Sequence, residues 1–297
     1  MKNLDSIDKF RLDKARARED FNGAAQGYDD IAILQRHVSD SLLERLDLMA
    51  VQPGRVLDLG SGTGGSAYKL ARKFRRARLI HTDFAVNMLR TARRRNSLLF
   101  SRHSFVCAEA ERLPLEHACL DLVFSNLMLQ WCSDPIVVFQ EVSRALKSGG
   151  LFIFSSLGPD TLNELRDSWS SVDDSIHVNA FIDMHDLGDA LMHSGFEAPV
   201  METEYFKLTY SDVFALMRDL KQLGANNANL GRRHTLTGKG RLQAMIAEYE
   251  KSRRENKLPA TYEVIYGHAW KRAVSGPAVG EVDSVRVPVA SITRRKP

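Results

Sequence analysis

The sequence predicts an α/β protein built on an open, mostly parallel sheet with helices on both faces. Three observations predict it. Short apolar runs alternate with amphipathic helical stretches from residue 55 to residue 155, the pattern of strands joined by helical crossovers. A glycine cluster, Gly60-Ser61-Gly62-Thr63-Gly64-Gly65, stands between the first run and the first helical stretch. An acid, Asp83, closes the second run. Such sheets bind ligands beyond the carboxyl ends of their strands, so glycines and acid fall on the side where a site belongs.

Residues 1–50 read as helical, with Leu34, Val38, Leu42 and Leu46 at helix spacing until Pro53-Gly54 breaks the pattern. Arg55 to Leu59 is the first strand and Ser66 to Phe74 the first crossover helix. Arg78 to Thr82, Ser104 to Ala108, Asp121 to Ser125 and Leu151 to Ser155 are the next four strands. Val86 to Arg95 and Pro135 to Leu146 are helices, the second stopped by Lys147-Ser148-Gly149-Gly150. Thr161 and Glu164 have capping-box spacing behind Pro159 and predict another helix start. Helices follow at Asp183 to Ser194, from Ser211-Asp212 to Gly224, and at Lys239 to Arg254. Glu204 to Thr209 and Thr261 to Tyr266 are the sixth and seventh strands. The chain thus divides into N-terminal helices covering the site (1–50), a main domain (51–272) and a flexible tail (273–297). Within the main domain, residues 210–257 form a helical insertion placed as a lid over the sheet's carboxyl edge.

Composition excludes several classes. The 297 residues are 44% apolar, 26% charged and 8% aromatic, with a formal net charge of +4, which is incompatible with bulk disorder. No apolar run reaches the ~18–20 residues that cross a bilayer. Met1 to Asp20 lacks the apolar stretch of a secretory signal. We therefore expect a cytoplasmic monomer without membrane contact. Cys107, Cys119 and Cys132 have no Cys-x-x-Cys spacing, and His177, His185 and His268 form no ligand cluster, so no metal is expected.

The glycine turn is the most informative stretch. Glycines let the backbone turn sharply and approach a ligand closely. Gly60, Gly62 and Gly65 satisfy the dinucleotide fingerprint, but Asp58 stands two residues before the first glycine. A carboxylate there repels a pyrophosphate and favours a cationic ligand, and S-adenosylmethionine carries both a sulfonium and an ammonium. Asp83 suits two ribose hydroxyls in either cofactor.

Val56-Leu57-Asp58-Leu59-Gly60-Ser61-Gly62-Thr63-Gly64 resembles the first motif of class I S-adenosylmethionine-dependent methyltransferases, a Rossmann-like fold with a seven-stranded sheet. The resemblance continues through Asp83-Phe84-Ala85-Val86-Asn87-Met88-Leu89 and Ala108-Glu109-Ala110-Glu111-Arg112-Leu113-Pro114. It implies that Asp58, Gly60, Gly62, Gly64, Asp83, Met88, Glu109, Ala110 and Asn126 bind the cofactor, with Met88 and Glu109 at adenine. Glu109 departs from the usual Asp. Further blocks resemble the malonyl-[acyl-carrier protein] O-methyltransferase family of biotin synthesis. They are Phe21 to Asp29, Leu34-Gln35-Arg36, Ser125 to Cys132, Leu157 to Arg166, Phe181 to Leu191, Leu220 to Asn226 and Leu258 to Trp270. That family methylates the free carboxyl of a malonyl thioester, on acyl carrier protein or coenzyme A. The alternatives are a methyltransferase for another small carboxylate or for RNA, and a non-methylating assembly factor that binds adenosylmethionine.

A malonyl carboxylate is already ionised at pH 7, so its methylation needs no general base. It needs a cation or donor that leaves one oxygen free, and arginine is the best type. Arg166, behind the fifth strand, is the first candidate; Arg144 and Arg36 follow. Tyr28 supplies a neutral donor or covers the cofactor. Gln130 and Trp131 follow the fourth strand and, with His185, border the substrate. An acidic carrier protein calls for a basic surface, for which Lys221, Arg232 and Arg233 in the insertion are the candidates. The basic clusters hold almost no interleaved aromatics, which argues against nucleic acid.

Overall fold

A computed structural model describes residues 11–95, 102–232, 235 and 237–273. Three helices come first: α1 (Lys14–Ala24), α2 (Tyr28–Ile31) and α3 (Ile33–Asp47). The crossover region holds β1 (Arg55–Leu59), α4 (Gly65–Lys73), β2 (Arg78–Asp83), α5 (Val86–Arg95), β3 (His103–Cys107), β4 (Leu120–Ser125), α6 (Pro135–Ala145) and β5 (Leu146–Leu157). The remainder is α7 (Asn163–Ser170), α8 (Met184–His193), β6 (Phe196–Tyr210), α9 (Val213–Gln222), α10 (Lys239–Glu250) and β7 (Leu258–Lys271).

The strands form one seven-stranded sheet in the order β3-β2-β1-β4-β5-β7-β6. β1 pairs in parallel with β2 and β4, β2 with β3, and β4 with β5. β7 runs antiparallel to both β5 and β6. The period-2 alternation of strand side chains builds two cores. Val56, Leu122, Leu151 and Ile153 face one way, onto α3, α4, α7 and α10 through Leu42, Leu46, Leu70, Trp169 and Tyr249. Leu57, Leu59, Phe152 and Phe154 face the other, onto α6 and α8 through Phe139, Val142 and Leu191. Helices therefore lie on both faces, as expected. No helix among the described residues is long and apolar enough to cross a membrane.

Three local expectations change. β6 and β7 extend well beyond residues 204–209 and 261–266, pairing from Phe196↔Lys271 to Tyr210↔Leu258. Edge strand β6 carries Glu202 and Lys207 at exposed positions and Glu204 at a half-buried one, and these charges hide its alternation. The β5 strand begins at Leu146, where a helix end and loop were expected, with Gly149 at φ +71°. The Thr161–Glu164 capping box does not form. Leu162 precedes α7 with φ 54°, and Glu164 instead accepts from Thr261 N and Oγ1 at 3.0 and 2.5 Å. The tail from residue 274 and Arg233 lie outside the described residues.

Candidate active site

The carboxyl ends of the parallel strands open into a cavity of about 740 Å³. Leu59-Gly60, Thr82-Asp83, Ala108-Glu109, Asn126 and Leu157 border it at the ends of β1 to β5 in turn. Lys207 to Tyr210 at the end of β6, and Leu220, Leu223 and Asn226 in and after α9, border the same space. The insertion between β6 and β7 therefore faces the glycine loop across one cavity.

The loop geometry explains its glycines. Gly60, Gly62 and Gly64 have φ of +74°, +52° and +83°, a region that costs other residues ~1–2 kcal/mol. A Cβ on Gly60 would also sit 2.6 Å from Met128 Cβ. Gly60 N and Ser61 N donate to Thr82 O, and Gly62 N donates to Asp83 Oδ2 at 2.9 Å. Asp83 accepts a second bond from Ala85 N at 2.8 Å. Burial pushes its carboxyl up to about 6, against these backbone donors. Asp58 is 1% exposed, and its Oδ2 has no protein partner. Burial, then the charge of Asp83, pushes it up to about 8. An orphaned buried carboxylate oxygen beneath a glycine loop fits a cationic ligand and not a pyrophosphate.

Most of the expected cofactor residues come together. Gly60, Gly62, Asp83, Met88, Glu109, Ala110 and Asn126 line the cavity; Asp58 and Gly64 do not, Asp58 being buried in β1 just before the loop and Gly64 shaping the loop through its positive φ. Glu109 is turned toward α1, where its carboxylate pairs with Arg18 and, at 3.4 Å, with Lys14. Asn126 donates to Gln35 O at 3.0 Å and accepts from Ser155 Oγ at 2.9 Å, tying α3 to β4 and β5. Tyr28, Gln130 and Trp131 also line the cavity. Burial, reinforced by Asp83, holds the Tyr28 phenol protonated well above its usual range. Gln130 Nε2 donates to Leu127 O at 2.6 Å, and Trp131 meets Phe21 edge to face at 4.9 Å.

The substrate candidates fare differently. Arg166 does not reach the cavity: Nη1 and Nη2 donate to Pro159 O and Thr161 O, each at 2.8 Å. Arg144 binds Glu141 and the carbonyls of Leu113 and Leu115, and Arg36 binds Asp29 O. All three guanidiniums brace backbone, because a loop rich in unpaired carbonyls is the nearest strong acceptor. His185 is exposed and pairs at 2.8 Å with Asp183, the N-cap of its own helix, away from the cavity. Lys221 is exposed on α9. Arg232 is not a free surface cation: it donates to Asp13 at 3.1 Å and to Asn229 O at 3.0 Å, with 12% of its side chain exposed.

The sequence reading missed Gln35, Trp169, Asn179 and Lys207 as lining residues, and weighed His177 only as a metal ligand. Lys207 is the one Lys or Arg among the described lining residues. An Asp173-x-x-x-His177 spacing was visible, but on an irregular segment it carries no face, so nothing local joined it to the site.

A strand order of 3-2-1-4-5-7-6, with a glycine loop after β1 and an acid ending β2, defines the class I methyltransferase fold. A "Methyltransferase domain" family model matches residues 57–154. The YcgJ protein from Bacillus subtilis has a similar structure, with a TM-score of 0.57 at 16% identity over 80% of this chain and 99% of that one. A malonyl-[acyl-carrier protein] O-methyltransferase from Methylovorus sp. is 51% identical over 90% of this chain and 92% of its own. One from Halorhodospira halophila is 42% identical over 97% and 98%. The chain belongs to the malonyl-[acyl-carrier protein] O-methyltransferase family.

Proposed function

We propose that this protein transfers a methyl group from S-adenosylmethionine to the free carboxylate of a malonyl thioester, carried on acyl carrier protein or coenzyme A, for biotin synthesis. The observation that carries the reading is one cavity joining two unlike halves. One half is the glycine loop with Asp83 and Met88; the other is walled by Leu162, Leu165, Val178, Phe181, Leu220 and Leu223. Its volume, about 740 Å³, lies in the upper part of the ~300–1,000 Å³ range of ligand sites and suits a cofactor beside a long-armed acceptor.

Adenosylmethionine supplies, when bound, a methyl on a cationic sulfur that a carboxylate oxygen takes by displacement. The chain's own residues bind, orient and exclude water. Asp58 faces the cationic end, Asp83 the ribose, Met88 and Ala110 the adenine; Glu109 borders the adenine while tied to Arg18. Asn126 and Gln130 hold the floor between the halves. No general base is required, because the nucleophile is ionised at pH 7. Apolar walls lower the local dielectric, which favours a reaction in which two opposite charges disappear. Tyr28 and the N-terminal helices cover the cofactor half, and residues 210–257 act as the lid of the acceptor half. With Arg232 paired to Asp13, Lys221 serves, with the other exposed cations of the insertion such as Lys239 and Arg241, as the docking surface for an acidic carrier. The protein works as a cytoplasmic monomer without nucleic acid.

The test is radiolabelled methyl transfer to malonyl-acyl carrier protein and malonyl-coenzyme A, with rescue of a biotin-requiring strain. A base-labile methyl ester on either thioester, with rescue, is expected. Adenosylmethionine binding without transfer or rescue refutes the reading in favour of an assembly factor.

A further inference from the structure

With Arg166, Arg144 and Arg36 held by backbone carbonyls, the acceptor's carboxylate needs another partner. Among the described residues lining the cavity, two side chains can be cationic: Lys207 and His177. Lys207 is exposed, on a flexible stem at the end of β6, which leaves its ammonium largely hydrated. His177 is different. It lies in the segment after α7, on the β5 side of the cavity, away from the loops after β1 and β2 that form the cofactor half. Only 13% of its side chain is exposed.

The imidazole of His177 is fixed on two sides. Nε2 meets Asp173 Oδ1 at 2.8 Å. One ring face stacks on Trp169 at 3.7 Å between centroids with a 7° interplanar angle. Asn227 Nδ2 donates to the carbonyl of Ile176 at 2.6 Å, which pins the preceding residue. Asp173 is itself anchored by Ser175 N at 3.0 Å, and its Oδ2 is buried without a partner. Nδ1 of His177 has no protein partner among the described residues. An imidazole held this way has one edge left for a ligand. When both ring nitrogens carry protons, Nε2–H faces Asp173 and Nδ1–H is a charged donor toward a ligand. Asn179, also lining the cavity, has a buried Oδ1 without a partner, so its amide is free to turn its NH₂ to a bound anion.

We propose that His177, held by Asp173 and Trp169, grips the free carboxylate of the malonyl thioester and so selects it over uncharged acyl thioesters. The proposal rests on the methyltransferase reading above. One imidazolium donor engages one oxygen and leaves the other to attack, whereas a bidentate guanidinium would occupy both. Methylation removes the acceptor's charge, so the ester loses its ion pair with His177 and leaves more readily than the substrate.

The experiment compares wild type, His177→Gln and Asp173→Asn. It measures KM for malonyl-coenzyme A and the inhibition constant of acetyl-coenzyme A, which lacks the carboxylate. S-adenosylhomocysteine affinity, read calorimetrically, reports on the fold and the cofactor half. His177→Gln should raise KM for malonyl-coenzyme A about 10- to 100-fold, the loss expected for a charged hydrogen bond. Acetyl-coenzyme A inhibition and S-adenosylhomocysteine affinity should stay unchanged. Asp173→Asn should move malonyl-coenzyme A alone, in the same direction and by less. Equal weakening of malonyl and acetyl thioesters, or no change in either, overturns the assignment of His177. Failure of wild type to methylate any malonyl thioester refutes the underlying reaction instead, and the assignment falls with it.

Discussion

Replacing Gly60 by alanine separates two physical demands that the loop makes at one position. Its φ of +74° places it in the left-handed region, which costs a residue with a Cβ ~1–2 kcal/mol. Loss of unfolded-chain entropy returns ~0.4–1 kcal/mol, so the backbone contribution is about 1 kcal/mol. The added Cβ would then lie 2.6 Å from Met128 Cβ, closer still to Cγ, and 3.9 Å from Cα. Because Cβ is fixed to the backbone, rotating the Met128 side chain cannot clear the overlap, and overpacking of this kind costs a further ~1–3 kcal/mol. Gly60→Ala should therefore destabilise by about 2–4 kcal/mol. Gly62, at φ +52° with nothing within 4 Å of its Cβ position, isolates the backbone contribution, so Gly62→Ala should cost about 1 kcal/mol. Gly65 opens α4 with no positive φ and open space around it; Gly65→Ala should be neutral or stabilising by up to ~1 kcal/mol. Equilibrium urea unfolding of the three variants measures the series, and calorimetry checks that Gly60→Ala also weakens adenosylmethionine binding, since Met128 lines the cavity. Gly60→Ala no less stable than Gly62→Ala would refute the reasoning.

Two further outcomes follow from the buried acid and the braced arginine. Asp58 is held up to about 8 by burial and by Asp83, so the folded chain keeps a proton that the unfolded chain releases near its ordinary value of 3.8. Stability of the ligand-free protein from this group is thus greatest below about 4 and falls as pH rises toward about 8. Adenosylmethionine affinity moves the opposite way, because a cation binds the ionised form. Melting temperatures at several pH values should show a downward slope that Asp58→Asn flattens; identical slopes in both proteins would contradict it. Arg166→Ala should cost about 1.5–3 kcal/mol of stability through its lost charged bonds to Pro159 O and Thr161 O while leaving KM for the malonyl thioester unchanged. A large rise in KM at unaltered stability would return Arg166 to the substrate.

The cofactor half was legible for a local reason. Asp58, the glycines, Asp83 and Met88 lie within two strand-to-helix turns, and such a turn positions its residues almost regardless of what surrounds it. Asn126 was legible because it directly follows a strand, at the carboxyl edge of the sheet. The acceptor half was not. Arg166 and Arg232 are the right residue type in the right part of the fold. Their guanidiniums are claimed by Thr161 O and by Asp13, the latter 219 positions away. No periodicity reports such a pairing.

By itself the sequence determined the strand and helix alternation, the glycine loop and the cation-favouring acid beneath it. Periodicity and glycine's access to positive φ are properties of neighbouring residues along the chain. Only the tertiary structure decided which charges remain available. Folding paired Arg232 with Asp13 and Glu109 with Arg18, and turned Arg166 onto backbone carbonyls. It also stacked His177 on Trp169 in the wall of the cavity. A charge or a polar edge is free only if no partner lies within hydrogen-bond reach, and that depends on neighbours in space that the order of residues does not name.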